Sequence, residues 1–148
     1  MTLLDRFRTP SRQKHPDPTV RLAYVAELPL SERELIIAAA REDEDVRVRR
    51  AAVAKLLDPA ALSPIARDDA DAGVRADAQN MLRDIALDVF EGISEAESLA
   101  AVDALAGADR MLAQIAKTSA REAIVLSICG GSSMDMVAAC EMSASRSA

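Results

Sequence analysis

The chain of 148 residues has no tryptophan, one tyrosine and two phenylalanines, so aromatics make up 2% of it. Glycine is almost as scarce, with five residues, while alanine supplies thirty. A sequence this poor in aromatic and turn residues and this rich in Ala and Leu is helical in its bulk. A β-sandwich or barrel is excluded on those grounds, and so is a ligand pocket walled by aromatic rings. With only two cysteines, Cys129 and Cys140, and a single histidine, His15, there is no CxxC pair, zinc ligand set or disulfide scaffold. No metal or other cofactor is expected. Met1 leads into Asp5 and Arg6 without an apolar core segment, which argues against a signal peptide. The longest uncharged stretch, Ala123 to Met134, falls short of the ~20 residues a membrane span needs. A cytoplasmic, soluble protein with no membrane partner is the expectation.

Positive charge is in deficit overall, with a formal net charge of −6. General nucleic-acid binding depends on basic side chains displacing counterions, so the balance argues against it. The deficit is uneven. Residues 1–16 form a basic arm in which Arg6, Arg8, Arg12 and Lys14 face only Asp5, leaving −9 on the remainder. Leu3, Leu4 and Phe7 give that arm an apolar side; a frayed terminus capping the first repeat explains it better than lipid or RNA binding.

What the chain does contain is a repeat, spanning residues 17–123. Asp17, Val20, Arg21 and Leu28 recur as Asp45, Val48, Arg49 and Leu56, and again as Asp71, Val74, Arg75 and Leu82. The order is always Asp, then Val-Arg from the third residue on, then Leu eight after the Val, at spacings of 28 and 26 residues. That is the length of one helix pair with tight turns. Upstream, Ile36, Ala39, Ala40, Arg41, Glu42 and Asp43 align with Leu62, Ile65, Ala66, Arg67, Asp68 and Asp69. Leu112, Ile115, Ala116 and Lys117 make a weaker fourth copy.

Each unit reads as two helices, the second headed by Asp as N-cap. Asp17-Pro18 and Asp58-Pro59 place proline at the first helical position, where its missing N–H costs nothing. Ser31, Ser94 and Ser119, each with Glu three residues on, fit a capping box. A pair this short cannot bury its apolar stripe alone, so stacking must supply the burial. The expected fold is therefore all-α: an α-solenoid of antiparallel helix pairs, about four repeats long.

The recurrent arginines are the candidate residues. Arg21, Arg49 and Arg75 lie near the start of their helices, where the dipole disfavours positive charge. A tertiary partner is expected, and the turn or capping aspartates of the adjacent repeat are the candidates. The expected structural ladder comprises Asp17, Arg21, Asp43, Asp45, Arg49, Asp69, Asp71 and Arg75.

These motifs resemble those of the HEAT family. Asp43-x-Asp-x-x-Val48-Arg49 and Asp69-x-Asp-x-x-Val74-Arg75 match its inter-helix Asp and Val-Arg signature, and Pro64 sits where that family often kinks its first helix. The first copy departs, with His15 in place of the leading Asp. More narrowly, residues 3–123 are similar to the N-terminal HEAT-like part of certain proteobacterial cytoplasmic proteins that continue into a domain of unknown function. The resemblance implies a non-catalytic scaffold for protein partners, with no small-molecule substrate. Related HEAT-like repeats in phycobilin lyases and in DNA glycosylases supply the alternatives, an enzyme subunit or a weak nucleic-acid binder. The first needs a polar and aromatic pocket, the second a basic inner surface.

The tail, residues 124–148, leaves the pattern. It carries three charged residues, Asp135, Glu141 and Arg146, and Gly130-Gly131 interrupts any helix there. One reading is a capping helix from Met134 to Met142; the other, favoured by the composition shift, is a frameshifted or truncated end of a longer protein.

No GxSxG, HExxH or GxGxxG occurs, and no catalytic residue is expected. The clusters Glu42 to Asp45 and Asp68, Asp69 and Asp71 have the composition of an acid–base pair. Both fall at the same point of the repeat, so capping and solvation explain them more economically. In register they would make an acidic edge able to attract a basic partner. For the ladder, replacing Arg49 by Met is expected to lower the melting temperature; an unaltered value in a thermal scan would count against it.

Overall fold

The computed structural model describes residues 12–119 together with 124, 125, 127 and 128. The basic arm up to residue 11, both cysteines, Gly130-Gly131 and nearly all of the tail lie outside the described residues. Within them the protein is all-α. After a 3-10 turn, Arg12–Lys14, seven helices follow: α1 Pro18–Glu27, α2 Arg33–Glu42, α3 Val46–Val53, α4 Pro59–Asp68, α5 Ala72–Ala86, α6 Glu95–Ala104 and α7 Asp109–Thr118. No described helix is long and apolar enough to cross a membrane.

The helix starts follow the capping chemistry. Asp17 accepts the Thr19 N–H at 2.8 Å, Asp45 that of Arg47 at 2.8 Å and Asp58 that of Ala60 at 3.0 Å. Asp71 reaches one residue further, to the Val74 N–H at 3.0 Å. Its carboxylate lies 2.9 Å from where a Cβ on Gly73 would be, an approach that only glycine leaves open. Ser94 and Glu97 form the full capping box of α6. Ser31 does not cap α2. The Glu32 N–H donates to the Pro29 carbonyl at 3.0 Å, so Ser31 is held inside a turn and Glu32 takes the N-cap position. Ser119 stands at the C-cap of α7, and the capping box expected from it to Glu122 lies outside the described residues. Pro64 sits in the interior of α4. At the far end of α5, Asp88 adopts φ 58° and the Val89 N–H reaches back to the Asp84 carbonyl at 3.0 Å. That closure satisfies a late carbonyl in the Schellman manner, with Asp in the place glycine usually takes.

Two compact units divide the chain, Met1–Leu56 and Leu57–Ala148. In the first, α3 packs on both α1 and α2, and the 3-10 turn packs on α1. Its core is Val25, Leu28, Ile36, Ala40, Val48, Ala52, Val53 and Leu56. In the second, α4, α5 and α6 pack on one another and α5 also meets α7. Leu62, Ile65, Val74, Ala78, Leu82 and Ile85 are buried there, with Leu112, Ile115 and Ala116 of α7. The repeat positions thus have a physical meaning: the Val of the second and third copies and the Leu of all three are core residues. Buried Ser98 of α6 donates its hydroxyl to the Ile85 carbonyl at 3.2 Å, so its polar atom is satisfied.

One contact of the first unit has no counterpart in the repeat. Lys55, just past α3, donates from Nζ to the carbonyls of Val25, Ala26 and Leu28 at 3.0, 2.8 and 2.5 Å. These are late carbonyls of α1, at the negative end of its dipole; that of Val25 also accepts the Leu28 N–H at 3.3 Å. A single ammonium, with three donors, serves all three. Lys55→Met keeps the apolar stem and removes the donors; urea unfolding is expected to show a loss of about 2 kcal/mol. An unchanged free energy would remove Lys55 from the forces holding α1 to α3.

Candidate functional site

The chemistry-bearing residues gather at the turns that precede α1, α3 and α5. Each turn uses one hydrogen-bond pattern. At the turn into α3, the Asp43 carboxylate accepts the backbone N–H of Asp45 at 2.9 Å. Arg49, one turn into the helix, folds back and donates from Nη1 to the carbonyls of Asp43 and Glu44 at 2.9 and 3.4 Å. At the turn into α5, Asp69 accepts the Asp71 N–H at 2.8 Å, and Arg75 Nη1 donates to the carbonyls of Asp69 and Ala70 at 2.5 and 3.2 Å. At the turn into α1, the Asp17 N–H goes to Nδ1 of His15 at 3.1 Å, and Arg21 Nη1 to the carbonyls of His15 and Pro16 at 2.7 and 3.3 Å. His15 therefore breaks the residue pattern but keeps the bond.

This arrangement explains an arginine at the wrong end of its own helix. Asp43 and Asp69 are the C-caps of α2 and α4. The guanidinium of Arg49 or Arg75 thus sits on the C-cap carbonyl of the preceding helix and on the carbonyl just after it, next to the end where that helix's dipole is negative and favours a cation. The charge is misplaced for one helix and well placed for its neighbour.

A second bond set joins one turn to another. Arg21 pairs with Asp43 in a two-pronged contact, Nε to Oδ2 at 2.8 Å and Nη2 to Oδ1 at 2.9 Å. The two side chains are 13% and 9% exposed, so this pair is largely withdrawn from water, unlike the surface pair Arg12–Glu27. Burial weighs most on the Asp43 carboxyl and opposes its charged form. The Arg21 bonds, the Asp45 amide and the Arg21 charge outweigh it and hold the carboxyl below its ordinary range. Of the other ladder residues, Asp17 accepts from the Thr19 amide and hydroxyl. Asp45 pairs with Arg47 of its own helix, through Nε at 3.1 Å and Nη2 at 2.9 Å. The Arg47 bonds, side chain first and amide second, lower the Asp45 carboxyl to about 2. Sequence reasoning singled out neither Arg47 nor Lys55, although the i, i+2 spacing of Asp45 and Arg47 was there to be read.

A polar cleft of about 460 Å³ opens beside the first of these turns, lined among others by Lys14, His15, Arg21, Glu42, Asp43 and Glu44. A second, of about 510 Å³, lies at the start of α7 around Gly107, Asp109, Arg110 and Gln114. Among the described residues no three His, Cys, Asp or Glu side chains are grouped to hold a metal ion. In comparison with known proteins, the chain matches no family model, no curated protein and no solved structure.

The pH dependence of this partly buried pair follows from its sign. A carboxyl held low in the folded state adds stability above the unfolded carboxylate range and loses it as pH falls through the folded value. Asp43→Asn is accordingly expected to lower the melting temperature by several degrees at pH 7. The gap to the wild type should narrow as the pH falls below about 4, where the unfolded carboxylate begins to hold its proton. A gap that stays constant from pH 7 to pH 3 in parallel thermal scans would show that the charge of Asp43 contributes nothing.

Proposed function

We propose that the chain is an α-solenoid of HEAT type, built of about four antiparallel helix pairs, and that it serves as a non-catalytic scaffold for another protein. The observation carrying this reading is the recurrence of one hydrogen-bond set at three turns: an acceptor side chain on the amide two residues on, and an Arg on the turn carbonyls six and five residues behind it. Identical turns in series are how repeat proteins present an extended surface rather than a single enclosed pocket. The cytoplasm is the compartment proposed for it.

Recognition on such a surface falls to side chains that the turns do not consume. Glu42 and Glu44 in the first unit and Asp68 in the second are exposed beside turns whose inner carboxylates are already bonded. A partner with a basic face suits them, and electrostatic attraction would speed its arrival more than tighten its hold. The test is mild affinity purification from the native cell at low ionic strength, followed by native mass spectrometry. A stoichiometric complex with one other protein, weakened by salt, is expected. Recovery of the chain alone at every salt concentration would overturn the scaffold reading.

A further inference from the structure

The first turn performs with an imidazole the task that the next two perform with a carboxylate, and the two groups respond differently to protons. A carboxylate is an acceptor throughout the neutral range. An imidazole accepts at Nδ1 only while that nitrogen is unprotonated; the imidazolium offers donors at both nitrogens. Histidine is also the side chain whose ordinary titration falls between pH 5 and 8. We propose that His15 is a proton-operated latch: the neutral ring fastens the 3-10 turn Arg12–Lys14 to the cap of α1 through the Asp17 N–H, and protonation releases it.

The geometry gives the released state somewhere to go. In the present arrangement Nδ1 faces a backbone donor, so a proton there would set two donors against each other and the ring must turn away. The charged groups around it come from every side. Lys14 and Asp17 belong to its own segment, and Arg21 of α1 holds its carbonyl. Glu42 at the end of α2, and Asp43 and Glu44 of the following turn, line the same cleft. Asp43 is neutralised by Arg21, which leaves Asp17, Glu42 and Glu44 against Lys14. A turned imidazolium therefore meets more carboxylate than cation. Release stays local, because Arg12 keeps its separate hold on α1 through Glu27 at 2.6 Å and over the Tyr24 ring at 5.9 Å. What changes is the order of the turn and the opening of the polar cleft it borders.

The experiment is an amide NMR titration of the whole chain from pH 8 to pH 5, following the His15 ring and the Asp17 N–H together. The Asp17 resonance is expected to move in one step with the ring, and its exchange protection, corrected for intrinsic exchange, to fall about tenfold. The Asp17 carboxyl does not interfere, since Thr19 holds it below its ordinary range. The amides of Asp45 and Asp71, bonded to carboxylates, serve as internal references and should stay level. His15→Asp and His15→Asn both restore an acceptor that does not titrate in this window, and in both the Asp17 step should vanish. An Asp17 amide that ignores the ring, a ring that does not titrate between pH 8 and 5, or a step that persists in both variants would each overturn the proposal.

Discussion

Everything in this small fold depends on satisfying the ends of short helices. A helix leaves four N–H groups and four carbonyls without internal partners, whatever its length. In helices of eight to fifteen residues these end groups are a large share of all the backbone donors and acceptors. The repeated turn answers both halves at once. Asp closes the amino end of the helix that follows, and Arg, reaching back from that helix, closes the carboxyl end of the one before.

Arg21 and Asp43 extend the same economy. A carboxylate has about four lone-pair directions. Asp43 uses one for the Asp45 amide and two for the fork of Arg21. Arg is the residue for this role because its planar fork matches the carboxylate edge and leaves a further nitrogen for the His15 carbonyl. A lysine could supply charge but not that division of labour. Where only carbonyls must be served, a lysine suffices, and Lys55 at the end of α1 is the example.

What was legible in the sequence was whatever repeats or is local. The helical character, the Asp caps of α1, α3, α4 and α5, and the burial of Val48, Val74, Leu56 and Leu82 follow from spacing and from chemistry within three or four residues. Lys55 was hidden because its partners lie nearly thirty residues away and its aligned positions hold Glu27 and Met81. Ser31 misled because a cap motif does not reveal a proline turn competing for the same residue. Asp88 was invisible because a left-handed residue without glycine leaves no compositional trace. The arginines drew notice only as an anomaly of their own helix dipole; that the dipole concerned is the neighbour's requires the turn geometry.

His15 shows why function is harder to read than fold. By residue type it departs from the repeat; by bond it conforms. The difference lies in capacity. A carboxylate in this position can take an amide and still accept an arginine fork, as Asp43 does. The imidazole nitrogen has one lone pair, and the Asp17 amide occupies it. The turn before α1 can therefore receive no forked arginine of the kind Arg21 offers Asp43, and this type of cross-turn bond stops there on chemical grounds. The turn that cannot take this bond is also the one whose acceptor can be switched by a proton. Both properties come from the same exchange of two oxygens for one nitrogen.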